Sequence, residues 1–105
     1  MKNFEPLKNY EGIYNINKLG VIKNKDGKTI KPFVNEDGYL CLSLHKNGRK
    51  RNLYLHRLLC IQYITNPNKK LYKEINHKDR NRQNNKLNNL EWCNRQMNNI
   101  NRKFQ

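Results

Sequence analysis

The residues best able to do chemistry lie in the second half of the chain. They are Asn76-His77-Lys78-Asp79, then Asn89-Leu90-Glu91-Trp92, and then Asn98. A histidine can take a proton from water near neutral pH. His77 stands twelve residues before Asn89, and Asn98 nine after it. The chain around them has 22 Lys+Arg against 8 Asp+Glu, a formal net charge of +14. Such a surface binds phosphate backbones by releasing their counterions. A proton acceptor at that spacing from two asparagines, on a polycation, points to phosphodiester hydrolysis, which needs an activated water and a counter-charge for the oxygens that become anionic.

The elements that position these groups must come from a short, polar chain. With 105 residues, 35% of them hydrophobic, and a mean hydropathy of −1.14, it forms one domain, or two small lobes sharing a thin core. No apolar run approaches the roughly 20 residues of a spanning helix. Met1-Lys2-Asn3-Phe4-Glu5-Pro6 lacks the apolar stretch of a signal peptide, so a cytoplasmic protein is expected. Cys41, Cys60 and Cys93 are odd in number and widely spaced, which favours three reduced thiols in or near the core over a metal or redox motif.

Strand patterns dominate the first half. Tyr10 to Ile16 alternates apolar and polar residues, as a half-buried strand does. Gly20 to Lys23 reads as a second strand, followed by turn residues Asn24 to Gly27. Tyr39 to Leu44, with its even positions toward the core, is expected to pair with Arg51 to Leu55 across Lys46-Asn47-Gly48-Arg49, whose Asn-Gly is a strong hairpin signal. From Leu55 the period becomes helical through Leu58, Leu59, Gln62 and Tyr63, and Asn66-Pro67-Asn68 ends the run. Tyr72 to His77 then reads as a strand, Lys78 to Lys86 as a polar loop, and Leu90 to Cys93 as the return strand with Leu90 and Trp92 on one face. Asn94 is a candidate N-cap for a last helix with Met97, Ile100 and Phe104 on its inner side. No heptads or internal repeats are expected, and the abundance of Asn is read partly as the drift of an AT-rich genome.

These residues carry a family resemblance. Ile75-Asn76-His77-Lys78-Asp79, Asn81, Asn84-Asn85, Leu87, Asn89-Leu90-Glu91-Trp92 and Asn98 resemble the HNH endonucleases of phages and mobile introns. Leu55 to Leu59 and Thr65 to Asn68 are similar to the lead-in helix and loop of that family. Tyr10 to Tyr14 with Leu19 to Ile22 is similar to a small nuclease-associated DNA-binding module. The resemblance implies an α+β protein: a β-rich DNA-binding module over residues 1–54 with one covering helix, then a ββα-metal (HNH) core over residues 55–105, the two able to pack as one unit. It implies a metal-dependent DNA endonuclease of homing type that uses one divalent ion, Mg²⁺ or Mn²⁺. His77 would be the general base, Asn89 its orienting partner, and Asn76 and Asn98 the metal ligands. Related nucleases often carry Asp at the position of Asn76 and His at that of Asn98, so here the donor pair lacks a carboxylate.

Around this site Arg80, Arg82, Lys86, Arg95 and Arg102 are candidate phosphate contacts, and Lys46, Arg49, Lys50 and Arg51 crowd the hairpin. The expected partner is double-stranded DNA, with no membrane and no small-molecule substrate, and the expected state is a monomer in the cytoplasm of the host cell of a phage, virus or mobile element. Plainer roles stand beside these. An isolated histidine is usually structural, His56 is read as anchoring its helix by a hydrogen bond and His45 as exposed, and Trp92 is read as core rather than a base-stacking platform. The competing function is a DNA-binding protein that keeps the HNH framework with weak or no cleavage; a basic RNA-associated protein is the more distant alternative.

Overall fold

The computed structural model describes residues 3–103, the side chains of 102 and 103 excepted. The inner-face position expected of Phe104 and the phosphate contact expected of Arg102 therefore lie outside the described residues. Among the described residues two α-helices, a 3-10 turn at Leu87–Asn89 and three small antiparallel sheets make an α+β fold. The first sheet joins β1 (Glu5–Pro6), β2 (Tyr14–Ile16) and β3 (Ile22–Asn24), and the second joins β4 (Phe33–Val34), β5 (Leu40–Lys46) and β6 (Arg49–Tyr54). Helix α1 (Leu55–Tyr63) follows without a break. The hairpin β7 (Glu74–His77) and β8 (Leu90–Cys93) leads into α2 (Arg95–Lys103).

The strand expected from Tyr10 begins only at Tyr14. Gly12 takes a φ of 82°, and the amides of Ile13 and Tyr14 both donate to the Tyr10 carbonyl, so the first residues of the alternating pattern close a turn instead. The β5–β6 hairpin forms around Asn47-Gly48, both at positive φ (54° and 74°), but Lys46 and Arg49, expected in the turn, pair within the strands, and Leu55, expected in the second arm, begins α1. Asn47-Gly48 is the primed turn whose twist matches a two-stranded ribbon.

Contrary to the expectation of no repeat, one turn recurs. Asn17, Asn24 and Asn35 each accept, through Oδ1, the amides of the residues two and four positions on. Each motif then has a glycine three residues after the Asn, Gly20, Gly27 or Gly38, at a φ between 84° and 86°. A short Asn side chain reaches these amides readily, and glycine takes that backbone at little cost. These three asparagines are therefore structural.

A single core joins the three sheets and α1. It contains Leu7 just after β1, Tyr14, Ile16 and Ile22 from β2 and β3, Leu42 and Leu44 from β5, Leu55, Leu58 and Leu59 from α1, and Ile75 and Leu90 from the last hairpin. Trp92 packs against it and donates its indole N–H to the Ile64 carbonyl at 2.9 Å. All three cysteines are buried and reduced.

The last helix departs from expectation. Asn94 caps it, its Oδ1 accepting from the Met97 amide at 2.8 Å. Met97 and Ile100, however, face outward at 42% and 51% exposure, while Asn98 is buried. The inner face is polar because what lies beneath it is polar: Glu74, Asn76 and the His77 carbonyl.

Candidate active site

Antiparallel pairing sets Glu74 opposite Cys93, Ile75 opposite Trp92, Asn76 opposite Glu91 and His77 opposite Leu90. Opposed residues share a face and adjacent residues take opposite faces. One face of the hairpin therefore carries Glu74, Asn76 and Glu91, and the other carries Ile75, His77, Leu90 and Trp92. Helix α2 lies over the first face, and Asn98 and Asn101, three apart on the helix, reach it together. At the open end of β7 a polar cleft is lined by Tyr39, Ile75, Asn76, His77, Arg80, Arg82, Asn98 and Asn101. The fold thus brings together His77, Asn76, Asn98, Arg80 and Arg82 of the expected set, and adds Tyr39 and Asn101.

The ring of His77 is buried, with Nε2 2.8 Å from Asn85 Oδ1. An oxygen partner holds the proton on Nε2 and leaves Nδ1 as the basic nitrogen. Burial lowers the pKa of this ring from its ordinary value, against smaller opposing effects from Asn85 and the Asp79 carboxylate. The ring is therefore neutral, and able to accept a proton, at neutral pH.

In this structure the ring's partner is Asn85, where Asn89 was expected. Asn89 closes the loop that follows β7. Its Oδ1 accepts from the Asp79 amide, its Nδ2 donates to Asp79 Oδ1 and the Asn84 carbonyl, and its own carbonyl accepts from Lys78. With both ends of a buried amide engaged in this way, none of its capacity goes to the histidine. Asp79 is the hub of the loop. Hydrogen bonds from the Asn84 side chain and the Asn81 amide hold its carboxyl below the usual range. Asn85 sat within the quoted motif, but its role depends on how the loop curls, which spacing does not report.

His56 from α1 meets the His77 ring at 4.9 Å and stacks near Tyr39 and Tyr54. Its Nδ1 is buried without a hydrogen-bond partner, so ring packing holds it where a hydrogen bond was expected. Arg82 donates to the Asp37 carbonyl at 2.6 Å and lies over the Tyr39 ring. It thereby ties the loop after β7 to the Asn35 turn and is already committed within the protein. Arg80 is exposed at the mouth of the cleft. Arg95 bridges to Glu74, and Lys86 is exposed outside the cleft lining. Lys46, Arg49, Lys50 and Arg51 form the exposed end of the β5–β6 hairpin, also away from the cleft.

The donors suit a hard cation of one type. Asn76 and Asn98 line the cleft with side-chain amides, the Asn76 oxygen accepting from Asn101, and among the described residues no cluster of three or more His, Cys, Asp or Glu could form a protein-only cage. Magnesium is satisfied by one or two protein oxygens when water and phosphate complete its shell. These residues fit such an ion.

Known proteins share parts of this sequence and its fold. Residues 3–45 match the NUMOD4 motif. The chain is 43% identical over 93 residues to an uncharacterized HNH endonuclease, L245, of Acanthamoeba polyphaga mimivirus, a match spanning 88% of this chain and 27% of that protein. It is 33% identical over 96 residues to the DNA endonuclease I-HmuI of Bacillus phage SP01, covering 90% of this chain and 54% of that one. A solved structure of DNA binding and cleavage by the HNH homing endonuclease I-HmuI superposes with a TM-score of 0.84 at 32% identity, over 97% of this chain and 58% of that chain. The chain is thus a relative of the HNH homing endonucleases, carrying an N-terminal NUMOD4 motif and spanning between about a quarter and just over half the length of these relatives.

Proposed function

We propose that this chain is a DNA endonuclease of HNH homing type, hydrolysing phosphodiester bonds with His77 as general base and one divalent ion held by Asn76 and Asn98. The observation that carries the reading is the convergence, in one polar cleft, of a buried histidine, the buried side-chain amides of Asn76 and Asn98, and Arg80. The relationship to proteins named DNA endonucleases supports it. In this reading residues 1–54 form the DNA-binding module and residues 55–105 the ββα-metal core.

The residues act as follows. Asn85 keeps the proton on Nε2, so Nδ1 can take a proton from the attacking water. The neighbouring rings of His56 and Tyr39 limit water around the imidazole and keep it neutral. Arg80 places a cation where the phosphate enters, as electrostatic stabilisation of the scissile group requires. Bound magnesium would supply Lewis-acid stabilisation of the phosphate and leaving oxygens. The hairpin end brings Lys46 directly opposite Arg49. Like charges so placed repel, and a phosphate backbone relieves that repulsion.

One observation favours the alternative of a DNA-binding protein with weak cleavage: Asn101 Nδ2 already lies 2.6 Å from Asn76 Oδ1. The two readings separate on supercoiled plasmid, and on DNA from the chain's own genomic neighbourhood, incubated with Mg²⁺, with Mn²⁺ or with EDTA. The nuclease reading expects metal-dependent nicked or linear product, lost in His77→Ala and Asn98→Ala. DNA binding without cleavage on any substrate would establish the alternative.

A further inference from the structure

Neutral amides are weak ligands for a hard divalent ion, yet each proposed ligand here is attached to a carboxylate. Asn76 Nδ2 donates to Glu91 Oε1 at 2.8 Å from directly across the hairpin, and Asn98 Nδ2 donates to Glu74 Oε1 at 3.0 Å. A carboxylate only accepts hydrogen bonds, so the opposite orientation of either amide would press two oxygens together. The nitrogen ends are therefore fixed on the carboxylates, and the oxygens are the ends left for another partner. Asn76 Oδ1 receives an N–H from Asn101, a contact that a bound ion would have to displace.

We propose, resting on the metal-centre reading above, that Glu91 and Glu74 are positioning residues for the ion. They lock the oxygen ends of Asn76 and Asn98 toward it, and Glu91 supplies through the amide the negative charge that the ligand pair lacks. A carboxylate accepting from a ligand's N–H draws electron density toward the ligating oxygen, as carboxylates behind metal-bound histidines do. Of the two, Glu91 is the cleaner case, because Glu74 shares its charge with Arg95 at 3.3 Å.

The test is Mn²⁺ binding, measured by calorimetry and by electron paramagnetic resonance of the free ion. The proteins compared are the wild type, Asn76→Ala, Glu91→Gln, and the double variant Asn76→Asp with Glu91→Gln. Glutamine at 91 can still accept the Asn76 N–H, so Glu91→Gln removes charge with little change of shape. The expected result is an unchanged melting temperature with Mn²⁺ affinity lowered about tenfold or more, the range typical of such supporting groups. The metal concentration for half-maximal cleavage should rise in step, while the rate at saturating metal is largely kept. Moving the carboxylate across the pair in the double variant is expected to restore affinity. Wild-type affinity in Glu91→Gln overturns the inference while leaving the metal centre standing. Wild-type protein whose Mn²⁺ binding is absent, or unaffected by Asn76→Ala, overturns the metal-centre reading itself. If Glu91→Gln unfolds, the double variant decides: affinity near wild type supports the inference, and affinity as low as that of Asn76→Ala overturns it.

Discussion

Asn85 and Asn89 stand four positions apart in one loop, and their environments give them different work. Asn89 makes three side-chain hydrogen bonds from a buried position. Asn89→Ala should therefore lower stability by about 1–3 kcal/mol, the range for orphaning buried polar partners, as read from the denaturant midpoint. Asn85→Ala is expected to leave that midpoint near wild type and to slow cleavage by freeing the His77 tautomer; equal effects on stability and rate in both variants would contradict this division. His56 makes a separate point about pH. Its pKa is lowered to about 3, first by burial, then by the charges of His77 and Arg57. In the unfolded chain the same ring titrates near 6.5. Between those values the unfolded state binds a proton that the fold refuses, so stability should fall as pH drops from about 6.5 toward 3 and stay level above 6.5. At about 1.4 kcal/mol per pKa unit the loss reaches a few kcal/mol by pH 4. His56→Phe should flatten that part of the curve in pH-dependent unfolding; an equally steep curve would place the acid sensitivity elsewhere.

The elements meet through loops, and the repeated asparagine-capped turn is the device that shapes them. Gly20 and Gly27 occupy the same place in two copies at the same φ of 84°. An added Cβ at Gly20 would lie 3.4 Å from Leu59 and 3.5 Å from Leu55, whereas at Gly27 it would meet nothing within 4 Å. Alanine at either site forces a left-handed backbone worth roughly 1–2 kcal/mol. Gly20→Ala should exceed Gly27→Ala in chemical denaturation, because it also crowds the contact between the N-terminal sheet and α1. Equal losses would mean that this contact yields freely. A second joint, Arg82 on the Asp37 carbonyl and the Tyr39 ring, fastens the loop after β7 to the third such turn.

For the whole molecule, charge governs how it meets a partner. If about five phosphates are neutralised on DNA, log affinity falls against log salt with a slope near −4.5, a loss of roughly 500-fold between 50 and 200 mM. Fluorescence anisotropy on a labelled duplex would measure it, and a slope near zero would exclude backbone-driven binding. Arg80 holds a φ of 65°, a conformation unfavourable for a residue with a Cβ. Arg80→Gly is therefore expected to raise stability by about 1 kcal/mol while reducing the salt slope by about 1, trading strain at the cleft mouth for a phosphate contact.

The sequence by itself determined what depends on near neighbours in the chain. Period-two and helical patterns marked β5, α1 and β8, the Asn47-Gly48 turn fixed a hairpin, Asn94 capped a helix, and the spacing of Asn76, His77 and Asn98 picked out the groups that line one cleft. Tertiary structure decided what depends on the surfaces that meet. Met97 and Ile100 point outward because the hairpin under α2 presents carboxylates and amides, so the helix turned its asparagines inward. Asn85 reached His77, and Asn89 did not, because hydrogen bonds to Asp79 curl the loop. Glu91 stands behind Asn76 through cross-strand register. Each of these is a choice among similar polar side chains, settled by which partner the fold brings within about 3 Å, and a linear pattern carries no such distance.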